Sequence, residues 1–245
     1  MQEEYKKGSL HPLTLTINEA VSIFKDLGFS VEQGPELEED WYNFGALNFP
    51  DNHPARDMQD TFFVKPASPN QGGGKDKMVL RTHTSNTQIR FMENLVKNGG
   101  MPPFAIVSPG KVFRNESTDS GHEMQFYQIE CLMVGEGISV AHMKGVLFEF
   151  FKRFFAGDNV DIRLRPSFFP FVEPGFEIDL KKGEKWFELL GAGMVHPKVL
   201  ENCGIDSKKY QGFAFGVGLD RLAMMKYKIP DIRLLYQGDL RLNQF

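Results

Sequence analysis

KVFRNESTDSGHEMQFYQIECLM, residues 111–133, is the stretch that decides the fold. Its two ends, 112–114 and 126–133, are rich in branched and aromatic residues, which favour β-strands. The residues at 117–121 are Ser, Thr, Asp, Ser and Gly, which favour turns. Hairpin loops usually span about 2–5 residues. The stretch therefore predicts a β-hairpin with an unusually long, functional loop.

The side chains of this loop are suited to a nucleotide. The loop opens with Arg114 and Glu116, contains His122 and Glu123, and closes on Phe126. A guanidinium group at a strand end can form forked hydrogen bonds to a phosphate, and an aromatic face can stack on a base. The same residues also fit a surface hairpin with a solvated charge pair and a core phenylalanine. Both interpretations stay open on this segment alone.

Length and composition are those of an ordinary globular protein. The chain has 245 residues, 41% apolar and 24% charged, enough for one large domain or two small ones. It has no apolar run of the roughly 18–20 residues that a membrane span needs, and its charged N-terminus lacks a signal-peptide core. We therefore expect a cytoplasmic protein that does not enter membranes.

Cysteine spacing and net charge narrow the possible partners. Cys131 and Cys203 are far apart and form no CxxC pattern, which fits a reducing compartment and excludes a structural zinc site. The formal charge of −4 argues against binding a polyanion over the whole surface. If the chain handles a nucleic acid, we expect a local patch or a second chain to provide the main contact.

Apolar periodicity predicts three main helices. The first covers 16–27, where Thr16 forms a capping box with the glutamate three positions on. The second is predicted to begin with a cap formed by Ser85 and Gln88. The third, at 140–155, carries a phenylalanine-rich stripe that indicates core packing.

The second half of the chain predicts a sheet. Strands are expected at 161–165, 176–180 and 185–190. The last of these ends in Gly-Ala-Gly at 191–193, where a ligand could approach the backbone closely. The stretch that starts QGFAFGVG at residue 211 predicts a glycine-rich strand that leads into a helix whose first turns carry Arg221.

Two segments are irregular. Residues 35–63 are acidic and then dense in aromatics and turn formers, and we interpret them as an ordered loop packed by its own aromatics. Residues 66–77 predict a flexible loop, and their glycines lack the pattern of a phosphate-binding loop. The whole predicts an α+β fold, an antiparallel sheet flanked by helices, in one domain over 11–245 after a lead-in at 1–10.

Five motifs together are more specific than any one of them: HPARDMQDTFF (53–63), LRTHTSNTQIR (80–90), RPSFFPFVEPG (165–175), ELLGAGMVHP (188–197) and GFAFGVGLDRLAM (212–224). With the hairpin, they resemble the catalytic core of the bacterial-type phenylalanyl-tRNA synthetase α subunit, a class II aminoacyl-tRNA synthetase, from about His11 to Phe245. Family members also carry an N-terminal coiled-coil arm that binds tRNA. This sequence lacks one, and both a truncated and a naturally short chain remain open.

The resemblance implies a phenylalanine–tRNA ligase that activates L-phenylalanine with ATP and Mg²⁺ and transfers it to tRNA(Phe), as part of an α2β2 assembly with a β subunit. It implies ATP contacts by Arg114 on the α-phosphate, Arg221 on the γ-phosphate, and Glu116, His122, Phe126 and Gly218. Two alternatives remain: a paralogue that adenylates an amino acid for another acceptor, and a silent interaction module.

The resemblance also implies an amino-acid site. Its polar groups would be His83, Ser85, Gln88, Gln128 and Glu130. Its aromatic wall would be Phe169, Phe171 and Val172, with Ala192, Gly193 and Ala214 leaving room for the ring. Glu173 would be a magnesium ligand at a site shared with the β subunit.

Four residues depart from the family pattern. Tyr127 stands where His is usual, Cys131 where Gly is usual, Gly121 where Thr commonly precedes the histidine, and Phe63 where Trp is usual. None removes a principal phosphate ligand. We expect any effect to fall on ATP affinity or on the position of the α-ammonium group.

Overall fold

The structure, a computed structural model, describes residues 8–56, 60–64 and 77–243. The strands are β1 (Ser30–Val31), β2 (Leu37–Glu39), β3 (Phe63–Val64), β4 (Met78–Leu80), β5 (Phe104–Phe113), β6 (Gln125–Gly135), β7 (Val160–Phe169), β8 (Val172–Lys182), β9 (Lys185–Val195) and β10 (Gln211–Gly218). The helices are α1 (Pro12–Asp26), α2 (Ser85–Lys97), α3 (Val140–Phe154), α4 (Pro197–Asn202) and α5 (Leu219–Tyr227).

Seven strands form the main sheet, in the order β1-β5-β6-β10-β9-β8-β7. Only β1 and β5 run parallel, and every other neighbouring pair is antiparallel. A smaller sheet has the order β2-β4-β3. The predicted α+β fold with an antiparallel sheet and flanking helices is confirmed.

The hairpin predicted from 111–133 is also confirmed. Strands β5 and β6 pair antiparallel, and the last pair in register is Phe113 with Gln125. The loop between them therefore covers 114–124. The β6 end of the loop lies inside the sheet, because β6 is flanked by β5 and β10.

The two faces of the sheet pack against different parts of the chain. On one face, α1 and α3 cover an apolar core in which Phe24 of α1 stacks on Phe150 of α3 at 4.5 Å between ring centroids. The other face packs against α2, α4 and part of the 41–49 segment. Side chains alternate along a strand, so Ile129 and Cys131 point into the first core and their neighbours in β6 point to the second face.

Both predicted helix caps are wrong. Helix α1 begins at Pro12, and His11 caps it by accepting the Leu13 N–H through Nδ1. A proline at the first position is preorganised for a helix start, so Thr16 lies inside the helix and is buried. In α2 the N-cap is Thr84, and the side chain of Ser85, the first helical residue, is bonded elsewhere.

Strand β9 extends beyond the predicted 185–190 and runs to Val195. The glycine-containing stretch at 191–193 therefore lies inside the strand and is paired on both sides, with Gly191 opposite Gly216 and Gly193 opposite Ala214 and Gly175. The Pro-rich run after 165 is likewise mostly strand, in β7 and β8. The third predicted helix, α3, is confirmed.

Some expectations fall on residues that the structure does not describe. These are the flexible loop at 66–77, apart from Lys77, most of the lead-in at 1–10, and the middle of the HPARDMQDTFF motif at 57–59. Within the described residues, no helix combines the length and the apolar character that a membrane crossing requires.

Candidate active site

A cavity of about 590 Å³ opens on the second face of the main sheet. This volume lies within the usual range of small-molecule sites, about 300–1,000 Å³. Fourteen of the site residues implied by the sequence line it: His83, Ser85, Gln88, Arg114, Glu116, His122, Phe126, Gln128, Glu130, Phe169, Phe171, Ala214, Gly218 and Arg221. The fold thus brings together residues from four separate sequence segments, 83–88, 114–130, 169–171 and 214–221.

The register of β6 and β10 builds the cavity floor. Glu130 lies opposite Gly216, and Gln128 lies opposite Gly218. A Cβ placed on Gly216 would lie 2.6 Å from the Gln128 amide nitrogen and 2.7 Å from Glu130 Cγ. Glycine at this position therefore leaves the space that the two polar side chains of β6 occupy.

Glu130 is a buried carboxylate surrounded by donors. It accepts hydrogen bonds from the Thr84 N–H at 3.2 Å, from Gln88 Nε2 at 3.1 Å and from the Ser85 hydroxyl. Burial raises the pKa of Glu130 to about 7, although these bonds and the Arg114 charge favour the ionised form. The group therefore changes charge near neutral pH.

Arg114 is held at the start of the β5–β6 loop. Its Nε donates to the Thr82 carbonyl at 3.2 Å, its guanidinium lies 5.0 Å from the Phe126 ring centroid, and Nη1 is 3.8 Å from Glu116 Oε1. About 40% of the side-chain surface stays exposed, and Arg114 lines the cavity. Desolvation lowers the pKa of Arg114 from its ordinary value, and the group remains a cation.

Arg221 reaches the same cavity from α5. The helix begins directly after β10, so its first turn stands over the glycine-rich strand end. The Arg221 side chain is exposed and forms no ion pair within the part of the chain that the structure describes. Two cations from separate segments therefore line one cavity.

Part of the cavity wall is aromatic. Phe171 lies 5.8 Å from Phe169 and 5.6 Å from Phe49, and Phe49 stacks on His83 at 6.3 Å. Burial, then repulsion from the Arg114 charge, lowers the pKa of His83 to about 3. The His83 ring is therefore neutral and adds no charge to the aromatic wall.

Sequence reasoning missed part of this aromatic wall. Phe44, Leu47 and Phe49 line the cavity, and they come from the 41–49 segment, which begins as a π-helix over Trp41–Gly45. The sequence predicts this segment as an ordered loop packed by its own aromatics. The available signal was its aromatic density, but no local pattern shows which distant surface such a segment packs on. Asp220 and Ile232 also line the cavity and were not predicted.

Three predicted pocket residues, Val172, Ala192 and Gly193, are not among the residues that line the cavity. Ala192 pairs with Phe215 and is 2% exposed in the core against α1 and α3. Alternation along β9 therefore points its methyl away from the site. Gly193 shares the face of Ala214, but Val172 covers it, since a Cβ on Gly193 would lie 2.6 Å from Val172 Cβ.

Glu173 also lies outside the cavity. Its side chain is 76% exposed, and its carboxylate is 3.6 Å from His196 Nε2. His196 Nδ1 accepts the Lys198 N–H, so Nε2 carries the proton and faces the carboxylate. The described residues contain no group of three or more His, Cys, Asp or Glu side chains that could hold a metal.

The four departures from the family pattern lie at different depths. Cys131 is in the core behind the sheet, and Tyr127 lines a separate cavity of about 340 Å³ near the start of α1. Gly121 lines the main cavity, where its N–H donates to Asp119 at 2.7 Å. Phe63 lies in β3, with Lys77 Nζ 5.7 Å from its ring centroid.

The chain combines a mostly antiparallel sheet with a cation-lined cavity on one face. Comparison with known families shows which class of protein has this architecture. The family described as "tRNA synthetases class II core domain (F)" matches residues 1–245, and the chain belongs to it. Pyrrolysyl-tRNA synthetase from Desulfitobacterium hafniense has the same fold, with a TM-score of 0.71 at 15% identity over 93% of this chain and 74% of that one.

Sequence relatives are more specific than the fold. The chain is 50% identical over 240 residues to the phenylalanine–tRNA ligase alpha subunit of Rickettsia bellii and 49% identical over 239 residues to that of Rickettsia africae. Each match covers 97% of this chain and 65% of the relative. The chain thus spans about two-thirds of these proteins, and the resemblance seen in the motifs is confirmed.

Proposed function

We propose that this chain is the catalytic core of a phenylalanine–tRNA ligase alpha subunit and that residues 11–245 act as one catalytic unit. The observation that carries the proposal is the single cavity. Its lining combines Arg114 and Arg221, the Glu130 carboxylate on the floor and an aromatic wall that includes Phe49, Phe169 and Phe171. The relatives' names support the same conclusion.

The residues divide between two substrates. Arg114 and Arg221 would bind the triphosphate, and Phe126 would stack on adenine. On the cavity floor, Glu130 would attract the ammonium group of the amino acid, and Phe171 of the aromatic wall would pack on the ring of phenylalanine. Alignment would let the carboxylate oxygen attack the α-phosphorus, with pyrophosphate leaving.

Magnesium would accompany the triphosphate. Mg²⁺ is usually bound through one or two carboxylates together with substrate phosphates. Glu116 and Glu123 line the cavity and offer such carboxylates. When bound, the ion would neutralise phosphate charge. Glu173 lies apart from them, so a metal held there would need ligands from outside the described residues, which fits a site shared with a partner.

Partners follow from the same proposal. A β subunit would complete the enzyme as α2β2, and tRNA(Phe) would receive the amino acid. The decisive experiment is ATP–pyrophosphate exchange with phenylalanine, with and without a β chain, followed by tRNA charging. Exchange with charging is expected. Exchange without charging, even with β present, would favour an adenylating paralogue, and no exchange at all would favour a silent module.

The pKa of Glu130 predicts a pH dependence. Below pH 7 the carboxyl group is protonated and does not attract an ammonium group, and it ionises as the pH rises through about 7. The KM for phenylalanine is therefore expected to fall about tenfold from pH 6 to pH 8. Exchange kinetics at saturating ATP would measure this. A KM that stays flat over this range would contradict the assignment.

Ala214 predicts the size limit of the aromatic pocket. Its methyl lines the cavity, so Ala214→Gly is expected to raise kcat/KM for para-chlorophenylalanine, relative to phenylalanine, by about tenfold or more. Exchange assays with both amino acids would measure the ratio. Ala192→Gly is the matched control, because it removes a methyl from the core face of the neighbouring strand, and it should leave the ratio unchanged. An unchanged ratio in Ala214→Gly would exclude Ala214 from the pocket.

A further inference from the structure

Asp220 is a buried carboxylate that the proposed chemistry does not use. It precedes Arg221 in the first turn of α5 and is 1% exposed. One oxygen accepts the Tyr127 N–H at 2.6 Å, and the other accepts the hydroxyl of Tyr236. Burial raises the pKa of Asp220 to about 6, so the group is an anion at neutral pH that depends on these two donors.

Tyr236 belongs to a C-terminal segment, 229–242, that contacts both the loop of Arg114 and the helix of Arg221. The Ile232 N–H donates to the Ser120 carbonyl in the β5–β6 loop at 3.0 Å. Ile229, Ile232 and Leu235 form a small apolar cluster, against which Met224 of α5 packs. The segment thus joins the loop of Arg114 to the helix of Arg221.

Apolar packing anchors the core side of α5, where Leu219 and Leu222 are fully buried. Its N-cap is Gly218, which offers no side chain to the free N–H groups. Arg221 itself has no ion-pair partner among the described residues. Its position therefore depends on the backbone of the first turn, and the carboxylate of the preceding residue adds one polar contact from that turn to β6 and another to the C-terminal segment.

We propose that Asp220 and Tyr236 are positioning residues that hold the first turn of α5, and through it the Arg221 guanidinium, over the terminal phosphate of ATP. This inference rests on the proposed function and extends it to two residues that need not touch substrate. It assigns the C-terminal segment a role in phosphate recognition. Tyr127 contributes a backbone N–H, so its departure from the family pattern leaves the arrangement intact.

Comparing ligands with and without the outer phosphates tests the proposal. In the full chain, purified with its partner, Tyr236→Phe is expected to raise the Kd of ATP about tenfold and to leave the Kd of AMP within about twofold, measured by calorimetry. Tyr42→Phe is the matched control, because its hydroxyl donates to the Glu93 carboxylate at 2.9 Å away from the cavity. It should change neither Kd.

A double variant separates positioning from a merely structural role. If Tyr236 acts through Arg221, Tyr236→Phe should weaken ATP binding no further in the Arg221→Gln background. Equal weakening of ATP and AMP, or an additive loss in the double variant, would overturn the inference. So would wild-type ATP binding in Tyr236→Phe while Arg221→Gln binds weakly, an outcome that spares the proposed function. No ATP binding by the unsubstituted protein would refute both.

Discussion

Replacement of Arg114 by glutamine is expected to lower kcat/KM for ATP in pyrophosphate exchange by about 10³-fold, or about 4 kcal/mol. The guanidinium lines the cavity and is held by the Thr82 carbonyl and the Phe126 ring. It is therefore preorganised for charge that develops on the α-phosphate. Losing it removes an interaction that strengthens in the transition state, so kcat should fall more than KM rises.

Two further variants sharpen this result. Arg114→Lys keeps the charge but not the planar fork, and we expect a loss between that of glutamine and none. Arg153→Gln is the matched control. The side chain of Arg153 on α3 is 41% exposed, against 40% for Arg114, and it pairs with Glu149 away from the cavity. It should leave exchange unchanged. A loss below about tenfold in Arg114→Gln would contradict the assigned role.

Glu130→Gln is expected to raise the KM for phenylalanine by about 100-fold, with the Kd for ATP changed by less than about threefold. The amide removes the charge that would attract the ammonium group. It also places an NH2 group among donors, because Thr84, Ser85 and Gln88 all donate to the carboxylate. Truncating one partner of a buried charge pair typically costs about 2–5 kcal/mol, which covers a 100-fold effect.

Asp179→Asn is the matched control for this variant. Asp179 is a carboxylate with 4% side-chain exposure, paired with Arg163 and Arg165 away from the cavity. Its replacement should lower the melting temperature without changing the KM for phenylalanine or the Kd for ATP. Exchange kinetics at varied phenylalanine and calorimetry with ATP would measure both variants. An equal rise of KM in Glu130→Gln and Asp179→Asn would indicate general destabilisation and remove Glu130 from the amino-acid site.

Local patterns predicted elements better than their ends. The phenylalanine stripe of α3 and the hairpin around 114–124 follow from side-chain periodicity and turn residues, which act over a few positions. The caps of α1 and α2 did not follow. His11 and Pro12 start α1 ahead of the predicted capping box at Thr16. In α2, the Ser85 hydroxyl donates to Glu130, which lies 45 residues further along the chain.

By itself, the sequence determined the α+β class, the central hairpin, the strand-to-helix turn with Arg221, and the family through its motifs. Only the tertiary structure decided which side chains face the cavity. It turned Ala192 into the core, covered Gly193 with Val172, brought Phe49 against Phe171 and gave Asp220 its partners. The physical reason is that alternation along a strand assigns two faces but does not say which is which. Register with neighbouring strands and packing of distant segments make that choice.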